Sequence, residues 1–251
     1  MRQERDKSMP HRMPSAFVIA LMLAVASAPV SPQAKPPWME SFKVSTADLA
    51  TVGENPYFIL KPGYQLTLEG REDGKPVRLV ITVLDETRTI AGVETRVVEE
   101  RETADGALAE VSRNFFAIET GTNNVYYFGE EVDEYTGGTV TGHEGAWVHG
   151  ANGARFGLMM PGTPVAGKRY YQEMAPKVAM DRAEIVSVSE RLTVPAGAFE
   201  RCLKTEETTP LKRATEYKVY APGVGIIQVG PLVLVSRKPA STARTPRRQS
   251  S

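Results

Sequence analysis

Hydrophobic and polar residues alternate along much of the chain, whereas apolar stripes at the helical spacing of about 3.6 residues are hard to find. Successive side chains of a strand point to opposite faces of a sheet, so alternation predicts strands. Tyr64–Glu69 alternates cleanly, and the β-branched run Val77–Leu84 follows the turn sequence Asp73-Gly74-Lys75-Pro76. We therefore expect an all-β or mainly β protein.

Turn-forming residues divide the rest of the chain into further strands, and the dipeptide Asp105-Gly106 is typical of a hairpin turn. The other predicted strands are Val93–Thr103, Leu108–Ile118, Val125–Phe128, Arg169–Glu173, Ala183–Ser189, Leu192–Val194, Ala198–Glu206, Thr215–Tyr220, Ile226–Val229 and Leu232–Val235. So many strands must close or stack to hide their edges. We expect a highly curved antiparallel sheet, or half-barrel, of roughly ten to twelve strands. Glu130–Gly145 is interpreted as an acidic, solvated loop, and Thr46–Val52 as a short helix.

The N-terminus resembles a secretion signal. A basic region precedes the apolar run Phe17–Ala26, which is too short to span a bilayer as a helix, and Ala24-Val25-Ala26 supplies a small-x-small cleavage site. The pattern predicts a signal peptide over residues 1–26, a secreted or periplasmic protein, and no membrane span after cleavage. A start at Met9 or Met13 stays open, as does an uncleaved anchor or a buried helix.

Composition and charge divide the chain further. Its 41% hydrophobic and 24% charged residues are ordinary for a globular protein. We expect a Pro-rich tether with a short helix over 27–53, a single β domain over 54–236 and a basic disordered tail over 237–251. Residues 35–236 carry 21 basic and 28 acidic side chains, a formal charge of −7, which argues against nucleic-acid binding.

Motifs for catalysis or cofactor binding are absent from the sequence. It contains neither G-x-S-x-G nor G-x-x-x-x-G-K-[ST], and the single cysteine, Cys202, excludes an internal disulfide. We predict no catalytic residue and no cofactor. His143, Glu144 and His149 are the candidate metal ligands, although their spacing differs from H-E-x-x-H.

The candidate ligand-binding residues lie in a Gly-rich apolar segment that could cover an open half-barrel. They are Trp147, Phe156, Met159 and Met160. The same four side chains could equally belong to the core.

Four segments, taken in order, resemble a family of uncharacterised secreted bacterial β-domain proteins. They are Asn55–Gly63, Val125–Glu130, Val194–Phe199 (VPAGxF) and Tyr220–Gly225 (YAPGVG). The resemblance implies a fold distantly like the half-barrels of periplasmic lipoprotein carriers, and it implies no activity and no catalytic residue. Pro and Gly in these segments are typical of turns and tight corners.

The favoured hypothesis is an exported, non-enzymatic β-domain that binds an apolar small molecule, a lipid or an envelope protein. One alternative is a metal-dependent, hydrolase-type enzyme that uses the two histidines and Glu144. Another is a structural protein of the cell envelope.

Overall fold

The computed structural model describes residues 35–240. The predicted signal peptide, 1–26, and residues 241–251 of the predicted tail lie outside the described residues. Within the described part, the secondary structure is almost entirely β. The strands are β1 Leu49–Ala50, β2 Gly53–Asn55, β3 Phe58–Leu60, β4 Gln65–Glu72, β5 Lys75–Ile90, β6 Val93–Ala104, β7 Ala107–Glu119, β8 Val125–Thr136, β9 Thr139–Gly142, β10 Trp147–Val148, β11 Arg155–Met160, β12 Arg169–Tyr171, β13 Glu173–Met174, β14 Arg182–Val194, β15 Gly197–Thr208, β16 Thr215–Ala221, β17 Gly225–Val229 and β18 Leu232–Lys238.

One antiparallel sheet contains sixteen of these strands. Thirteen of them form a continuous path in the order β12-β14-β15-β16-β17-β18-β4-β5-β6-β7-β8-β11-β13. The two ends of the path, β12 and β13, are separated along the chain by Gln172 alone. The sheet is therefore nearly closed into a barrel, which removes most of its free edge.

The mainly β, antiparallel class predicted from the sequence is confirmed. The sheet has more strands than the ten to twelve that were predicted, and it is more nearly closed than the predicted half-barrel. Glu130–Gly145 was wrongly interpreted as a loop, since β8 continues through Glu130 to Thr136 and pairs there with β9. The predicted helix over Thr46–Val52 is a single 3₁₀ turn at Thr46–Asp48 followed by β1. The predicted boundary at residue 236 falls inside β18.

Residues of the predicted tether lie against the barrel where its sheet ends. The backbone of Met39 pairs with β12 by a donated and an accepted hydrogen bond, both 3.0 Å long. The Trp38 ring contacts the guanidinium groups of Arg169 and Arg182, whose central carbons are 3.9 and 4.4 Å from the ring centroid. These contacts cover the outer edge of β12.

Two segments that carried the family resemblance meet at one end of the barrel. β2 and β3 form a separate hairpin, which contains the first part of the segment Asn55–Gly63, and the Tyr220–Gly225 corner packs onto it. The amide of Gly223 donates a 2.8 Å hydrogen bond to the Pro56 carbonyl, and the Tyr64 hydroxyl donates a 2.7 Å bond to the Val224 carbonyl. These bonds fix the hairpin against the barrel wall.

Candidate functional site

The barrel interior contains a cavity of about 120 Å³ lined mainly by apolar side chains. Its aliphatic wall comes from β4, β5 and β6, and includes Leu66, Leu79, Ile81, Val83 and Val98. Leu66 lies opposite Ile81, and Val83 lies opposite Val98, so side chains of adjacent strands form a continuous apolar surface.

The hairpin and the corner that pack at one end of the barrel complete this apolar cavity. Tyr57, Phe58 and Ile59 line it from the hairpin, and Val224 and Gly225 line it from the corner. Gly225 has a φ of 100°, which favours glycine, so the sequence YAPGVG permits the corner to approach the hairpin in this form. Segments that looked purely structural in the sequence therefore form a wall of the cavity.

A second cavity, of about 230 Å³, adjoins the first and has a polar lining. Its ionisable side chains are those of Glu100, Glu110, Glu130, Glu173, Asp181, Glu207 and Lys218. The lining thus holds six carboxyl groups and one amino group. We refer to the first space as the apolar cavity and to the second as the acidic cavity.

Four residues, Glu100, Phe116, Met159 and Lys218, line both cavities. The Phe116 ring is stacked on the Tyr127 ring at a centroid distance of 4.7 Å and meets Phe58 edge-on at 5.0 Å. Because the two spaces share these walls, one elongated molecule could place its apolar part in one cavity and its polar part in the other.

Lys218 is engaged by carboxylates of the barrel wall. Its Nζ lies 2.7 Å from Glu207 Oε2 and 3.6 Å from Glu216 Oε2. Burial alone would lower the pKa of Lys218, but the negative charges of Glu207 and Glu216 outweigh that effect and raise the pKa well above its ordinary value. Lys218 therefore stays charged.

Glu207 is also the centre of a hydrogen-bond network. Its Oε1 accepts bonds from Gln172 at 3.2 Å, from Thr205 at 3.1 Å and from Tyr220 at 3.5 Å. With Lys218 on the other oxygen, this carboxylate is fully satisfied, and the pair forms a fixed part of the cavity wall.

The other carboxyl groups of the acidic cavity hold protons more tightly than carboxyls in water. Burial is the largest cause of the raised pKa values of Glu100, Glu110, Glu130, Glu173 and Asp181. Neighbouring carboxylates add to the effect, and the pKa of Glu130 reaches about 7. Glu130 therefore titrates near neutral pH.

Strand register explains why so many carboxyl groups face one another. Glu102 lies opposite Glu110, which in turn lies opposite Glu134, so three acidic residues form a row across β6, β7 and β8. Like charges directly opposite one another on adjacent strands are destabilising. Accordingly, Glu110 raises the pKa of Glu102, and Glu134 raises that of Glu110, each in addition to burial.

Of the four predicted ligand-binding residues, only Met159 lines the apolar or the acidic cavity. All four belong to strands of the barrel wall rather than to a covering loop. Met159 lines both cavities, and the Trp147 indole donates a 2.7 Å hydrogen bond to Glu173, which lines the acidic one. Phe156 is instead stacked on Phe128, and Met160 is fully buried in the core.

The structure also places the candidate metal ligands apart from the cavities. His143 Nδ1 lies 2.6 Å from the Val132 carbonyl and 3.1 Å from Asp133, whereas the His149 ring packs edge-on against Phe128 and Phe156. Glu144 is exposed. Over residues 35–240, no group of three His, Cys, Asp or Glu side chains is placed to hold a metal ion.

The acidic cavity was missed by reasoning from the sequence. One signal was available, since Glu100 continues the alternation of the buried residue Val98 and therefore predicts a carboxyl on the same face. Glu130 was missed because its segment was assigned to a loop. Glu173, Asp181 and Glu207 are far apart in the sequence, and only the closure of the barrel brings them together.

The fold and cavities define a nearly closed antiparallel β-barrel with an interior that is apolar on one side and acidic on the other. No protein-family model matches the chain, and no curated protein sequence matches it. A solved structure of a candidate lipoprotein from Parabacteroides distasonis is similar over 70% of this chain and 95% of that one, with 14% sequence identity and a TM-score of 0.34. In the described part of the chain, no helix is long and apolar enough to cross a membrane.

Proposed function

We propose that this protein is an exported, non-enzymatic β-domain that binds a small molecule with an apolar part inside its barrel. The observation that carries the proposal is the apolar cavity, which is lined by aliphatic and aromatic side chains from strands and segments across the whole domain. Ligand sites are commonly apolar recesses with a few convergent polar groups. Export rests on the basic region and the short apolar run within residues 1–26.

The size of the cavity favours a compact ligand. Its volume of about 120 Å³ is close to that of an engineered cavity of about 150 Å³ in another protein, which accommodates benzene. One aromatic ring or a short alkyl chain therefore fits, which favours a small molecule over a whole lipid.

A direct test uses fluorobenzene as the probe and fluorine NMR as the readout. The probe signal should broaden and shift in the presence of the protein. Val98→Phe should abolish the effect, because Val98 is only 2% exposed and its enlarged side chain would fill the cavity. Val188→Phe, the same change at a residue that is 37% exposed, should leave binding intact.

Overpacking a core typically costs about 1–3 kcal/mol of stability, so thermal denaturation must show that Val98→Phe is folded. Unchanged probe binding by the folded variant would contradict the proposal. Native mass spectrometry of protein purified gently from the exported fraction would then identify a natural occupant by the mass that denaturation releases.

A further inference from the structure

The lining of the acidic cavity has more carboxyl groups than the amino group beside them can pair with. Its six carboxyl groups face a single amino group, that of Lys218, which already pairs with Glu207 inside the cavity and with Glu216 beside it. Lys218 is thus no free partner for Glu100, Glu110, Glu130, Glu173 or Asp181. This inference rests on the proposed function and concerns the polar end of the same ligand.

One of these carboxyl groups, on the wall of the acidic cavity, is largely buried and uses one of its oxygens in a hydrogen bond. Glu173 is 7% exposed, and within residues 35–240 its Oε2 accepts the hydrogen bond from Trp147 while its Oε1 has no hydrogen-bond partner. An oxygen of this kind on a cavity wall is suited to a donor that comes from a ligand.

Aromatic rings share the same wall. Phe116 and Tyr127 both line the acidic cavity and are stacked on each other, and Trp147 meets Tyr127 edge-on at 5.4 Å. Organic cations are attracted to the faces of aromatic rings, so rings beside carboxylates are typical of a site for an alkylammonium group. The rings and the carboxyl groups together favour a cation.

The arrangement favours an organic cation over a bare metal ion. The carboxyl groups are spread over the wall of a space of about 230 Å³, and over the described residues no three of them converge as metal ligands. A metal ion needs oxygen ligands at about 2.0–2.6 Å from one point. An ammonium group attached to a larger molecule is instead held by donors and charges placed around it.

We propose that the ligand is a compact amine that places an aromatic ring or short alkyl chain in the apolar cavity and its ammonium group among Glu100, Glu130 and Glu173. Phe116 and Met159, which line both cavities, surround the bond between the two parts of the ligand. Such an arylalkylamine matches the volume of the apolar cavity and the charge of the acidic one.

Binding should release protons. A protonated carboxyl that meets the ammonium group becomes a carboxylate, and its proton leaves to solvent while the amine stays charged. The groups that face Glu130 and set its proton affinity are Tyr127, Glu100, Glu110, Glu173 and Asp181. Because an alkylamine, like lysine, stays charged up to a pH of about 10, affinity should rise as the pH increases from 6 to 8.

The experiment is isothermal titration of the full mature chain with three probes of similar size, 2-phenylethylamine, 2-phenylethanol and 3-phenylpropionate. We expect the amine to bind about tenfold more tightly than the alcohol or better, in line with a hydrogen bond to a charged group, and the carboxylate to bind worst. Titration in buffers of different ionisation enthalpy should show proton release with the amine only.

Glu130→Gln and Glu173→Gln should each reduce amine affinity toward that of the alcohol and leave alcohol affinity unchanged. Glu144→Gln is the matched control, because Glu144 is exposed and lies outside both cavities. Retention of alcohol binding also shows that the variants are folded.

The outcomes separate this inference from the proposed function. Equal affinity for the amine and the alcohol, or a preference that survives in both Gln variants, would overturn the assignment of an amine and leave an apolar ligand in place. Tightest binding of 3-phenylpropionate would overturn it in favour of an anion at Lys218. Absence of binding by all three probes would contradict both proposals.

Discussion

One row of side chains across β4, β5, β6 and β7 passes from the apolar cavity to the acidic one. The residues of this row lie opposite one another on adjacent strands and are Leu66, Ile81, Glu100 and Ser112. The strands are continuous and their backbone hydrogen bonding is the same on both sides. The side chains alone decide what each region of the interior can accommodate. A barrel wall can therefore change from apolar to ionisable within one strand spacing, about 4.8 Å.

Placing a carboxyl group on the wall of the apolar cavity should cause the largest loss of stability. Leu66→Glu buries an ionisable group without a partner, and a buried glutamate resists ionisation by up to 3–5 pKa units. We expect the free energy of unfolding to fall by about 5 kcal/mol at pH 8 and by less at pH 5, as measured by urea denaturation. Leu211→Glu at a residue that is 46% exposed should cost under about 0.5 kcal/mol. Equal losses for the two variants would show that the apolar side is accessible to water.

Removing the amino group from the acidic side should have the next largest effect. Lys218→Met leaves Glu207 and Glu216 without their cation, and breaking a buried ion pair costs about 3–5 kcal/mol. We expect a loss of about 3 kcal/mol at pH 8 that shrinks toward pH 5, because burial raises the pKa of Glu216, which takes up a proton as the pH falls. Lys204→Met, which removes a lysine beside the exposed Tyr217 ring, is the control and should cost under about 1 kcal/mol. A loss of stability that does not depend on pH would show that the substitution acts through altered packing rather than through the lost charge.

Neutralising one carboxyl of the acidic side should increase stability. The pKa of Glu130 is raised from 4.5 to about 7, so the folded state binds more protons than the unfolded state between those values and loses stability as the pH rises through them. Glu130→Gln removes this penalty. We expect it to stabilise the protein by about 1–2 kcal/mol at pH 8 and to leave stability unchanged at pH 4, as measured by urea denaturation at each pH.

Glu131→Gln is the control on the same strand. Glu131 forms an exposed ion pair with Arg88, and such pairs contribute about 0–1 kcal/mol. It should give no gain at pH 8. A gain from both substitutions would show that net charge, rather than the acidic cavity, sets the effect.

The smallest effect is expected at the boundary between the two regions. Met159→Leu conserves volume and removes only the contact of the sulfur with the Gln172 side chain, whose nitrogen lies 3.6 Å away. We expect a change in stability under about 1 kcal/mol by thermal denaturation, because unfilled space beside Met159 can absorb the altered shape. Met160→Leu, at a fully buried neighbour, should cost more. The reverse order would place Met159 in the packed core.

The sequence predicted strands and turns correctly where their conformation depends only on residues close together in the chain. The hairpin turn at Asp105-Gly106 and the strands on either side of it agree with the structure to within one residue, because alternation and a left-handed turn conformation are local properties. The sequence-based prediction failed on β8, where the acidic stretch 130–136 pairs with β7 up to Glu134 and with β9 from Glu134 onward. Acidic residues in a row usually indicate solvent, and here Glu130 faces the interior of the barrel.

Only part of the candidate site could be predicted from the sequence. Met159 was found because large apolar residues are candidates for any cavity wall. Tyr57 and Val224 were seen as parts of turn motifs, and their role in the apolar cavity depends on the contact between residues that are more than 160 positions apart. Glu173 and Glu207 carry no local signal.

The amino-acid sequence by itself determined the strand-rich class, most of the turns, the absence of a disulfide and the acidic balance of the β domain, because each of these follows from composition or from neighbours along the chain. Tertiary structure alone decided that the sheet nearly closes, and closure brings Glu100, Glu173 and Lys218 around one space. Burial there raises the pKa of both carboxyl groups and pairs the lysine with Glu207, because charge and solvation depend on distance in space rather than on position in the chain.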